Sequence, residues 1–155
     1  MRLLAVFVAH NLEEVCHFRP PLTTEALERL RIDAGWYRRD RFAAATILLT
    51  VAVAALTPSV DQQRGRRWAL VGAATAGGLV LNAGGHLVRA AITHSYNPGA
   101  VSAPILLGVA FDSLAQIARR ERLAVVEVGT AAGLGAVLSI PAIVGALALT
   151  RSAIR

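Results

Sequence analysis

Apolar residues run along this chain in long stretches, not in the narrow stripes of a soluble helical domain. They cover Leu3 to about Phe18, Phe42 to about Val60, Trp68 to about Thr93, Ala100 to about Ala118, and Leu123 to about Thr150. A bilayer core about 30 Å thick needs roughly 20 mostly apolar residues per helix. The pattern therefore predicts an all-α fold, an integral membrane bundle of about five transmembrane helices forming one domain over residues 1–155. The first span is the weakest, because only Leu3 to Ala9 is continuously apolar. The fifth carries Pro141, which is expected to kink it or mark its end. Between the first two spans, charges mix with Leu27, Leu30, Ala34 and Tyr37 near helical spacing. That segment predicts one amphipathic helix in the interface, with Trp36 and Tyr37 at headgroup level.

Small residues line the later spans: Gly72, Gly77, Gly78, Gly84 and Gly85 in the third, then Gly129-x-x-x-Gly133 and Gly135 in the fifth. Membrane helices approach one another closely through such residues. A compact bundle is expected, with room for pairing into a homo-oligomer.

Composition agrees with the bilayer as partner. Hydrophobic residues make up 55% of the chain and charged residues 17%, with a mean hydropathy of +0.53; a soluble domain carries about 25% charged residues. The net charge is +6 and every basic residue is Arg. These arginines cluster between apolar runs, where they flank membrane spans, so the charge argues against nucleic acid as a partner. An integral membrane location is expected, in a bacterial inner (plasma) membrane. The single Cys16 excludes an internal disulfide and a Cys-based zinc site. The start resembles a signal peptide for a few residues, but His10 and two glutamates stand where a small-residue cleavage site belongs, so the segment is expected to be retained.

Against this apolar background, His10, Glu13 and Glu14 form an H-x-x-E-E cluster. Offsets of three and four share a helix face, and ionisable groups inside a membrane are costly enough to mark function. Asn82, His86 and Arg89 form a second such face on the third span. If the helices alternate in direction, the C-terminal parts of spans one and three lie toward the same membrane face, and the two constellations share a depth. Asp112 and Glu127 are expected at the opposite end, Asp112 as partner to an Arg or a buried amide. Tyr96-Asn97-Pro98-Gly99 reads as a turn, with Pro fixing one dihedral and Gly tolerating positive φ. His94 is expected in solvent.

Taken in order, HNLEE at 10–14, Asn82-x-x-x-His86, and Tyr96-Asn97-Pro98-Gly99 resemble the HXXEE-motif family of integral membrane proteins, whose function is unassigned. The resemblance covers roughly residues 5–115. It implies a site built from His10, Glu13, Glu14, His86 and Tyr96, and it implies no reaction.

Three chemistries suit these residues. The first is a divalent metal, Zn, Fe or Mn, held by His10, Glu13, Glu14 and His86. Two histidines with one or two carboxylates leave a coordination position open, as catalytic sites require, and Asn82 and Arg89 stand ready to bind substrate. Glu14-x-x-His17 matches half of a di-iron helix pair, but the other ligands are missing, so a mononuclear site or an unusual dimetal site is expected. No H-E-x-x-H is present, against the common zinc protease arrangement. The second is general acid–base catalysis on a lipophilic small molecule entering from the bilayer, by Glu13, Glu14 and Tyr96. Adjacent glutamates about 100° apart on a helix face different partners. The third is no enzyme: an ion or proton relay in a small transporter, or a structural network in which Arg89 neutralises a glutamate.

Overall fold

A computed structural model describes residues 2–20, 38–62 and 65–153, and every regular element among them is helical. These are α1 (Arg2–Cys16), α2 (Arg39–Asp61), α3 (Arg66–Thr93), α4 (Ala103–Glu121) and α5 (Val125–Ala153). The expected interfacial helix, with Leu27, Leu30, Ala34, Trp36 and Tyr37, lies outside the described residues.

Three of the helices, α2, α3 and α5, are long and apolar enough to cross a membrane, which points to a membrane protein. This corrects the expected count of about five. At about 1.5 Å per residue, the 15 residues of α1 reach only some 22 Å, and their second half carries the H-x-x-E-E cluster. Helix α4 is nearly long enough, but Asp112, Arg119, Arg120 and Glu121 confine its apolar part. Pro104 sits in the first turn of α4, where the missing N–H costs nothing. Pro141 does not end α5, which continues to Ala153.

Helix α3 is the centre of the bundle and packs against α2, α4 and α5, while α1 fills the seam between α2 and α4. Leu3, Phe7, Leu79, Leu106 and Ile117 are buried where these helices meet. The α3–α5 contact is a backbone-to-backbone approach. A Cβ added at Gly77 would run into the Ala132 carbonyl oxygen, and one at Gly135 into that of Ala74. By contrast, Gly84, Gly85, Gly129 and Gly133 face open space. Among the described residues the Gly129-x-x-x-Gly133 pair thus plays no part in packing; Gly135, two residues beyond it, makes the contact.

Neighbouring helices alternate in direction, and the end carrying the α1 N-terminus is tied by charge. The Arg120 guanidinium donates to the Val60 and Asp61 carbonyls at the C-terminus of α2, where cations are favoured. Arg66 pairs with Glu127, whose other oxygen accepts from the Ala124 N–H at 2.9 Å. Arg2 lies 3.8 Å from Asp112. Asp112 and Glu127 therefore stand at the end opposite the H-x-x-E-E cluster, as expected.

Gly135→Ala and Gly133→Ala add the same methyl group to the same helix. Thermal or denaturant unfolding in detergent should show a loss on the order of 1–3 kcal/mol for the first, from overpacking against Ala74. The second should match or slightly exceed the parent; equal losses would contradict the packing described.

Candidate metal centre

At the opposite end, α1 and α3 run in the same direction and bring His10 and His86 together, with ring centroids 5.0 Å apart and planes at 78°. Glu14, one turn beyond His10 on α1, lies between them: its Oε1 is 3.0 Å from His86 Nε2 and its Oε2 is 3.9 Å from His10 Nε2. One ligand atom from each of the three residues lies within 4.8 Å of the other two. Among the described residues this is the one His/Cys/Asp/Glu group of that kind. Two ligand atoms of a tetrahedral ion with bonds of about 2.1 Å are about 3.4 Å apart, so a contraction of about 1.4 Å or less completes the set.

Hydrogen bonding fixes which nitrogen of each ring faces that point. Asn97 Nδ2 donates to the backbone carbonyl of His86 at 3.1 Å, which turns Asn97 Oδ1, an acceptor, toward His86 Nδ1 at 2.9 Å. His86 therefore carries a proton on Nδ1 and turns Nε2 toward Glu14. His10, buried from solvent, is set the same way. Ser102 Oγ donates to Glu13 Oε2 at 2.5 Å and so accepts from His10 Nδ1 at 2.8 Å. Asn82 Nδ2 donates to the Nε2 lone pair at 3.1 Å. Partners of this kind on the far nitrogen orient metal-binding imidazoles and raise their basicity.

Glu13 is not brought into the group, which departs from its expected place among the ligands. Its Oε1 accepts from Tyr96 OH at 3.0 Å and from the Gly99 and Val101 N–H groups at 3.2 Å each. Its Oε2 accepts from Ser102 N at 2.8 Å as well as from Ser102 Oγ. Five donors occupy a carboxylate at the N-terminus of α4, where the helix dipole favours negative charge. Helix geometry explains the split: one residue apart, Glu13 and Glu14 point in different directions. Glu13 belongs to the loop before α4, and Glu14 to the histidines.

Other expected residues fall around this centre. Tyr96, partly exposed, reaches Glu13 and not the three-residue group. Burial and the adjacent Glu13 carboxylate raise its phenol above the ordinary value of 10, so it stays a donor. Asn82 joins the centre through His10. Arg89 stands one turn beyond His86 and is half-buried. His17 is exposed past the end of α1, with Nδ1 3.2 Å from the Glu13 carbonyl. Glu14-x-x-His17 therefore does not form a ligand pair. His94 is exposed, as expected.

The turn chemistry of residues 96–99 has a second purpose. Gly99 has φ +91°, and a Cβ there would stand 2.9 Å from both imidazole rings, so the chain passes directly over the centre only because glycine has no side chain. Reading Asn97 and Gly99 from the sequence as turn residues missed their contacts with the histidines. Ser102 carried no signal at all: a lone serine before a proline and an apolar run reads as a helix start.

Glu13→Gln exchanges one acceptor oxygen for a donor facing Ser102 or the loop amides. The expected cost is about 2 kcal/mol, since hydrogen bonds to charged groups are the stronger kind, and it should exceed that of Glu14→Gln when both are unfolded under the same conditions in detergent. The reverse order would contradict the separation of the two glutamates.

No curated protein and no solved structure matches this chain. A family model described as "protein of unknown function with HXXEE motif" matches residues 1–111, which include His10, Glu13, Glu14, His86 and the 96–99 turn. The chain belongs to that HXXEE family.

Proposed function

We propose that this is an integral membrane enzyme whose centre is a divalent metal, Zn, Fe or Mn, held by His10, Glu14 and His86, and whose substrate is a lipophilic small molecule. One observation carries the reading. Fixed hydrogen bonds turn His86 Nε2 to the Glu14 carboxylate across 3.0 Å. A positive charge belongs between these atoms, a proton on Nε2 in the metal-free protein and a divalent cation in the loaded one, and His10 Nε2 lies 3.9 Å from the same carboxylate. Two imidazoles and a carboxylate are competent ligands for these metals and leave coordination room for a substrate. A metal there would act as a Lewis acid on an oxygen of the substrate.

The surroundings support that substrate class. Glu14 and Asn82 also line a cavity of about 390 Å³ among α1, α2, α3 and α5, whose remaining walls are mostly apolar. Ligand sites usually have volumes of about 300–1,000 Å³ and a few convergent polar groups. Asn82 is placed to orient a polar group of the substrate beside the metal.

Elemental analysis of detergent-purified protein tests this proposal. One Zn, Fe or Mn per chain is expected, absent in His10→Ala, Glu14→Ala and His86→Ala. Asn97→Ala should weaken metal binding by roughly 10–100-fold, the usual cost of losing such an orienting partner. Asn82→Ala should not weaken it, because the Asn82 N–H competes with the metal for the His10 Nε2 lone pair. Wild-type protein that neither contains nor takes up any of the three metals would overturn the proposal, as would metal retained in all three ligand variants.

A further inference from the structure

The cavity beside the centre has a directional polarity of its own. Its polar end is where Asn11, Glu14 and Asn82 meet, at the C-terminal parts of α1 and α3. From Asn82 it follows α3 to Val71, about 16 Å away at about 1.5 Å per residue. The hydroxyls along its walls are turned back into their own helices. Thr46 Oγ1 donates to the Phe42 carbonyl at 2.9 Å, Thr75 Oγ1 to Val71 at 2.9 Å, and Ser139 Oγ to Ala136 at 2.7 Å. What they present to the cavity is chiefly carbon. Polar function is thus concentrated at one end of a long, narrow, otherwise apolar space.

The cavity also has a side door. At the polar end, α2 and α5 are clamped by Ala45, Ala146 and Leu147, which are 2%, 7% and 4% exposed. Further along, the lining residues Leu56, Val71 and Leu138 are 38%, 36% and 63% exposed. These are apolar side chains on helices that are long and apolar enough to span a membrane, so among the described residues the gap between α2 and α5 opens sideways, on a face that hydrocarbon would cover in a bilayer.

We infer that this cavity takes a single-chain amphiphile from the bilayer, its hydrocarbon chain lying along α3 toward Val71 and its oxygen-bearing head held at Glu14 and Asn82. A volume of about 390 Å³ drawn out over that length suits one slender chain. A compact apolar ligand would leave much of the slot unfilled, and a water-soluble ligand has no aqueous route through the lateral gap. The inference deepens the enzymatic reading above and rests on it for the role of the head, but chain binding can be measured without any metal.

The test uses full-length protein in lipid nanodiscs and a long-chain alcohol, hexadecanol, carrying a photoreactive diazirine at its far end. After irradiation, crosslinks mapped by mass spectrometry should concentrate on cavity residues around Leu56, Val71 and Leu138. Thr75→Phe and Ala52→Phe, which place a ring in the slot, should each lower that labelling about tenfold or more. Leu134→Phe, on the outer face of α5, should leave it unchanged. Metal content in the two ring variants should remain that of the parent and reports that the bundle is intact. Crosslinks confined to outward residues such as Leu134 and Val137, or cavity labelling that neither ring variant lowers, would overturn the inference. Preferential cavity labelling by a two-chain phosphatidylcholine carrying the same diazirine would do so as well. Cavity labelling in a protein that binds no metal would instead remove the enzymatic reading and leave the chain-binding site standing.

Discussion

The Glu14 carboxylate faces two imidazoles whose far nitrogens are already committed, and the structure around α1, α3 and the 96–102 loop is arranged about that fact. Asn97 and Ser102 hold the Nδ1 protons of His86 and His10, so both Nε2 atoms are turned toward Glu14, that of His10 while also accepting from Asn82 Nδ2. Charge of opposite sign is required at that point. In a low-dielectric bundle an unbalanced cluster of acceptors is expensive, so the protein has either a bound cation there or a proton shared within the group. The orientation of both rings by outer partners, the arrangement by which metal-binding histidines are usually held, favours the cation.

Glu13 shows how the same motif builds the frame as well as the centre. Its carboxylate gathers Tyr96, Gly99, Val101 and Ser102 into one loop and starts α4 where it does. Through Ser102 it also reaches His10, forming a chain from carboxylate to hydroxyl to imidazole. Two neighbouring glutamates therefore divide the labour by helix geometry alone: one docks α1 onto the start of α4, and the other faces the histidines. Gly99 completes the arrangement by passing over both rings at a distance no side chain would permit. The motif reads as a docking device for a short helix that, with about 22 Å of length, has little membrane-spanning capacity to hold it in place.

Much of this was legible in the residues. Alternating helix direction is enough to bring His10 and His86 to one depth, and offsets of four put His10 beside Glu14 and Asn82 beside His86. The first turn of α4 and the location of Asp112 and Glu127 followed from proline and the rise per residue, whereas α4 ends at Glu121, three residues beyond the expected Ala118. What could not be read was set by contacts between distant segments. Hydropathy made α1 and α4 look like spans because it does not weigh a 15-residue length or a charged last turn against the bilayer thickness. Which glutamate faces the histidines depends on the rotation of α1, which is fixed by its packing against α2 and α4. The role of Ser102 depends on Glu13, eighty-nine positions earlier. Which glycines pack, Gly77 and Gly135 and not Gly129 and Gly133, depends on the register between α3 and α5.

The claim that two imidazoles and the Glu14 carboxylate share one cation is tested most directly by X-ray absorption at the metal edge of protein loaded with zinc. The account predicts a first shell of nitrogen and oxygen at about 2.0–2.2 Å, with outer-shell scattering from two imidazole rings. A spectrum without imidazole scattering, or with that of a single ring, would contradict it.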